Sequence, residues 1–66
     1  MNILKLRGKM VEKGMNVEAL SAIVGIDRST MYRKFNDHES ITIGEAQRIK
    51  DALELTNEEA TNIFFN

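Results

Sequence analysis

Arg28, Ser29, Tyr32 and Arg33 fall within six residues of one another, in the segment RSTMYRKF. At helical spacing they project from one side, while Met31 and Phe35, four apart, project from the other. Two guanidinium forks, a hydroxyl and a phenol on one exposed strip are hydrogen-bonding groups suited to recognition, not a catalytic set. Nothing elsewhere supplies one. The chain has no Cys, its single His, His38, sits in a polar stretch, and no two carboxylates share an apolar setting. No nucleophile, general acid or general base is positioned, so an enzyme is the weakest reading and no metal or cofactor is expected. Arginines on a helix face, taken alone, are solvated charges. What precedes these four gives them another meaning.

The run over residues 17–36, VEALSAIVGIDRSTMYRKFN, reads as two short helices hinged at Gly25. Two helices crossing steeply through a short Gly-containing turn form a helix-turn-helix, whose second helix can enter the major groove of DNA. Asn16 is a good N-cap for the first of the pair, and Leu20, Ile23 and Val24 are expected to supply its buried stripe. Gly25 allows a left-handed turn, and Asp27 caps the second helix, predicted over residues 28–35.

The rest of the chain supplies the scaffold. With 66 residues, no Pro and no alternating strand pattern, it reads as one small all-α domain of five amphipathic helices. Helix one is expected over residues 2–13, with Ile3, Leu6 and Met10 on one face, Lys5, Lys9 and Lys13 forming a solvated row, and Gly14 ending it. Residues 36–40 are expected to form a polar loop. TIGE (Thr42 to Glu45) and TNEE (Thr56 to Glu59) both match the capping box and open helices four and five. Helix four carries Ile43, Ala46, Ile49 and Leu53 at helical spacing, and helix five ends in Ile63, Phe64 and Phe65. No apolar run is long enough to span a bilayer and the N-terminal residues lack a signal-peptide core, so a cytoplasmic location and no membrane partner are expected.

A net charge of −1 looks unpromising for a nucleic-acid binder, since phosphate neutralisation supplies most non-specific affinity. The distribution restores the case. Residues 1–36 hold seven Lys and Arg against three carboxylates, a net +4; residues 37–66 hold two against seven, a net −5. The basic half carries the helix pair, and an acidic far side helps to point it at DNA.

VEALSAIVGIDRSTMYRKFN resembles the helix-turn-helix of the phage Cro and repressor proteins, the Xre-type family, and the five-helix, lambda-repressor-like layout extends the resemblance over nearly all of the chain. Gly25 matches the turn glycine, Ile26 and Met31 the apolar pins, and Ser21 stands where the family prefers Ala. Val17 replaces the usual Gln at the start of helix two, and Met10 and Phe35 replace a core Arg and Glu pair, which avoids burying charge. The Ser21 hydroxyl is expected to bond back to a carbonyl of its own helix.

The resemblance implies that the outward positions of helix three read bases. Arg28 is suited to guanine O6 and N7, Ser29 to either donor or acceptor edges, and Tyr32 and Arg33 stand one turn on. It implies phosphate contacts from Thr30 and Lys34 and from the amides near Asn16 and Val17 at the helix-two N-terminus. The partner is then double-stranded operator DNA, with no small-molecule ligand. The expected function is that of a Cro-like or short repressor whose regulation runs through concentration alone.

Ile63, Phe64 and Phe65 cannot all pack inward from one helix turn, so at least one is expected at the surface, as the seam of a homodimer formed on DNA. The competing reading makes that end the hot spot of a helical interaction module, such as an antitoxin or anti-repressor. Four methionines, Met1, Met10, Met15 and Met31, are expected to fill the core or its rim.

Overall fold

A computed structural model describes residues 1–36 and 41–65, and among these the secondary structure is five α-helices. They are α1 (Ile3–Glu12), α2 (Val17–Val24), α3 (Arg28–Asn36), α4 (Ile43–Ala52) and α5 (Asn57–Phe64). The expected helix at 2–13 is thus shorter by its two caps: Asn2 accepts from the amide of Lys5, and Lys13 closes the other end. The third helix runs one residue beyond its expected end, to Asn36. The remainder of the expected loop, with His38, lies outside the described residues.

Caps define most of the helix starts. Asn16 accepts from the amide of Ala19 at 2.8 Å, and Asp27 accepts from the amide of Ser29 at 3.0 Å. Both capping boxes form: Thr42 and Glu45 exchange bonds of 3.0 and 3.1 Å, and Thr56 and Glu59 bonds of 2.9 and 3.1 Å. Such reciprocal pairs satisfy amides that have no partner within the helix.

Three helices end on one recurring device. After α1, α2 and α4 a single residue takes a left-handed backbone, Gly14 (φ +67°), Gly25 (φ +80°) and Glu54 (φ +53°). The next amide then bonds back five residues: Met15 to the Met10 carbonyl, Ile26 to Ser21 and Leu55 to Lys50, at 2.8, 3.1 and 2.9 Å. Each of these following residues is apolar and packs on or within the core, as the helix-ending motif prefers.

Leu6, Leu20, Met31, Ile49 and Leu53 are fully buried, and Met10, Val24, Phe35, Leu55 and Ile63 nearly so. α2 packs against both α3 and α4, while α5 joins α1 and α4. The apolar pair Met10 and Phe35 is indeed in the core. Ser21, the single buried polar side chain among the described residues, donates to the Val17 carbonyl at 2.7 Å, as expected of a hydroxyl enclosed against its own helix.

Two expected core residues face solvent. Ile23 is 59% exposed: the inward face of α2 is built from Val17, Leu20, Ser21 and Val24, and Ile23 lies about 110° round the helix from their mean direction. Ile43 is 76% exposed, because it lies about 120° round α4 from Ile49. Ile63 differs in the other sense. It is 2% exposed and belongs to the core, which removes its side chain from the expected seam, and its carbonyl accepts from the Asn2 amide.

Candidate nucleic-acid interface

The local sequence explains why α3 presents the strip it does. Asp27 fixes the first turn through the Ser29 amide, and Met31 and Phe35 anchor the opposite face in the core. Arg28, Ser29, Tyr32 and Arg33 are therefore all exposed along one side. Tyr32 is 42% exposed, so its ring is partly supported by the surface while part of it remains accessible.

These side chains are not isolated. Arg28 is ion-paired and hydrogen-bonded through Nη1 to Oε1 of Glu18 on α2, with both side chains more than half exposed. The Ser29 hydroxyl donates to Asp27, and this bond, followed by that from the Ser29 amide, holds the Asp27 carboxyl below its usual range. Asp27 thus remains a carboxylate at the N-terminus of α3, where the helix dipole favours negative charge.

At the start of α2, Asn16 uses its side-chain oxygen to cap Ala19, and Val17 has its side chain buried at 8% exposure. Of Val17, only the backbone amide can therefore face an anion there. Thr30 is half-buried. Lys34 was expected to reach outward to a phosphate; its side chain is 13% exposed and its Nζ lies 3.5 Å from Glu45 of α4. The Glu45 carboxyl is lowered first by the Thr42 amide, against a burial penalty, with the Lys34 charge adding to the depression.

Two contacts that tie α3 and the turn to the rest of the molecule have no counterpart in local sequence pattern. Arg7 of α1 lies over the Phe35 ring, 5.5 Å from its centroid, and donates to the Asn36 side chain at 3.4 Å. Arg48 of α4 donates through Nη1 to the carbonyl of Val24, the last residue of α2, at 3.0 Å. Arg48 and Lys50 are the two cations of the acidic half, and that isolation is the one sequence signal that could have marked them.

Lys9 does not simply point into solvent as part of a lysine row. It forms an ion pair with Glu59 of α5 and another, at 3.1 Å, with Glu12. Among the described residues no group of three or more His, Cys, Asp or Glu side chains is arranged to hold a metal ion. No helix there is long and apolar enough to cross a membrane.

A helix pair held by Gly25, with a short second helix showing a polar, arginine-bearing face, defines a helix-turn-helix DNA-binding domain. The family model of the Cro/C1-type HTH DNA-binding domain matches residues 5–63, and the chain belongs to that family. No curated protein and no solved structure is significantly similar to it.

Proposed function

We propose that this protein is a sequence-specific transcriptional regulator of the Cro or short-repressor kind, which occupies an operator by placing α3 in the major groove. The observation that carries the reading is the exposed strip of Arg28, Ser29, Tyr32 and Arg33 on a helix anchored from behind by Met31 and Phe35. Arg28 and Ser29, at the N-terminal end of α3, are the leading base readers, with Tyr32 and Arg33 one turn on. The amides at Asn16 and Val17 and the Thr30 hydroxyl are assigned to phosphates, with Lys34 lending its charge from behind α3.

The proposal includes a homodimer on DNA. Phe65 is 72% exposed and Ile43 76%, and with half-buried Phe64 they border a groove of about 270 Å³ between α4 and α5. Lys50 is the single charged residue of its lining. A second copy of the same weakly charged patch fits a two-fold contact, and pairing two half-sites is how so small a reader gains affinity. The same patch favours, as a second reading, a helical interaction module such as an antitoxin or anti-repressor.

Fluorescence anisotropy against DNA from upstream of its own gene and a scrambled control, at low and moderate salt, tests the reading. Preference for the upstream fragment that survives added salt is expected. Equal, weak binding to both that vanishes with salt would overturn it and favour the interaction module.

A further inference from the structure

Resting on the assignment of α3 as the reading helix, we propose that α4 is a bracket that sets the angle between α2 and α3, with Arg48 and Glu45 as its positioning residues. The two stand three apart on α4, hence on adjoining parts of one helix face, and reach opposite members of the helix pair.

Arg48 takes the α2 arm. Its Nε donates to the Gly44 carbonyl at 3.3 Å, a local bond that sets the direction of the side chain, and its Nη1 donates to the Val24 carbonyl at 3.0 Å. Val24 ends α2, where carbonyls lack donors within the helix and the dipole is negative, so a guanidinium is well placed there. The next residue is Gly25, the left-handed pivot of the turn. Arg48 therefore holds the point about which α3 swings.

Glu45 takes the α3 arm. Its carboxylate lies 3.5 Å from Lys34 Nζ, and the two side chains are only 16% and 13% exposed. The same carboxylate accepts from the Thr42 amide at 3.0 Å, which fixes it to the start of α4. A shielded pair whose carboxylate is already held by the Thr42 amide constrains geometry more than a mobile surface pair does.

The angle matters because the N-terminus of α2 and the face of α3 must meet phosphate and bases together. Non-specific binding needs charge alone, whereas specific binding needs both contacts in register. Loosening the bracket should therefore erode discrimination rather than general affinity.

The variants Arg48→Lys, Arg48→Met and Glu45→Gln test this, the last keeping the cap because Gln also serves in a capping box. For each, residual dipolar couplings of the free protein report the α2 to α3 orientation. Anisotropy reports the ratio of affinities for a selected site and a scrambled one, with its salt slope. Arg48→Lys keeps the charge but cannot make both bonds. It is expected to shift the orientation and lower the ratio about tenfold, with the salt slope unchanged.

Wild-type orientation and ratio in Arg48→Lys would overturn the proposal, as would a salt slope smaller by about one in Arg48→Met, which would make Arg48 a phosphate contact. If the Arg48 variants fail to fold, Glu45→Gln decides: a fallen ratio supports the bracket, and an equal gain on both sequences overturns it by returning Lys34 to the phosphates. Should the wild type select no DNA site at all, the reading of α3 fails. The dipolar couplings still decide the bracket, a changed orientation supporting it and an unchanged one overturning it.

Discussion

Glu18 of α2 and Arg28 of α3 form an ion pair across the two helices of the helix-turn-helix, so the side chain proposed to read guanine already has an anionic partner. In water the pair is weak, because both groups are largely exposed, and a guanine edge can replace it. The carboxylate also repels nearby phosphates. Glu18→Gln is expected to raise affinity for every sequence, more at low salt than at moderate salt. Arg28→Ala is expected to cost about 1 to 3 kcal/mol on the selected site and to relax preference at one base pair. Anisotropy titrations of both variants on selected and scrambled DNA check this. Weaker binding by Glu18→Gln would mean that the carboxylate braces Arg28 rather than masks it.

Phe65 is the exposed member of the C-terminal aromatic pair, at 72%. A carboxylate there would have to be desolvated in a two-fold contact, yet would cost the monomer little. Phe65→Glu is therefore expected to abolish cooperative binding to paired half-sites while binding to one half-site and the thermal midpoint stay near wild type. Identical binding curves for the two proteins on the paired site would remove the seam.

The helix order and the helix starts were legible because their causes are local. Thr42 with Glu45, Thr56 with Glu59, Asn16 and Asp27 each act within three residues, and Gly14 and Gly25 each act at a single position. Burial was harder to read, since Ile23 and Ile43 fit an apolar stripe but sit beside the face that packs. Ile63 groups with its aromatic neighbours in sequence, although Phe65, two residues on, lies about 160° from it round the helix axis. The exposure of Arg28, Ser29, Tyr32 and Arg33 was legible from helical spacing, and the contacts that tie α3 and the turn to the rest of the molecule were not. Arg48 to Val24 spans 24 residues and Arg7 to Asn36 spans 29, and no local periodicity encodes such contacts.

Acid should loosen the tie between α1 and α5. The Lys9 ammonium, and after it the Thr56 amide, hold the Glu59 carboxyl down to about 2 from an ordinary 4.5. A carboxyl depressed in the folded state stabilises fully above the ordinary value, and that contribution disappears as pH falls through the folded one. The window here runs from about 4.5 down to about 2. Asp27 and Glu45 are also lowered and act in the same direction. The thermal midpoint, followed by circular dichroism, is expected to drop across that window and to drop less in Glu59→Gln, which keeps the capping bond. Equal acid sensitivity in the two proteins would show that the Lys9 to Glu59 pair carries none of it.

Gly25 and Glu54 occupy the same backbone role with opposite suitability. Both are left-handed and both precede an amide that bonds back five residues, yet only glycine takes that conformation without a steric penalty. A Cβ on Gly25 would lie 3.8 Å from Nη1 of Arg48, an ordinary contact, so the cost of Gly25→Ala comes from the backbone. That substitution is expected to destabilise by about 1 kcal/mol and Glu54→Gly to stabilise by up to about 1 kcal/mol, the latter reduced by the greater freedom of glycine when unfolded. Urea unfolding of the two variants measures both signs. Destabilisation by Glu54→Gly would mean that the Glu54 side chain contributes more than its backbone strain costs.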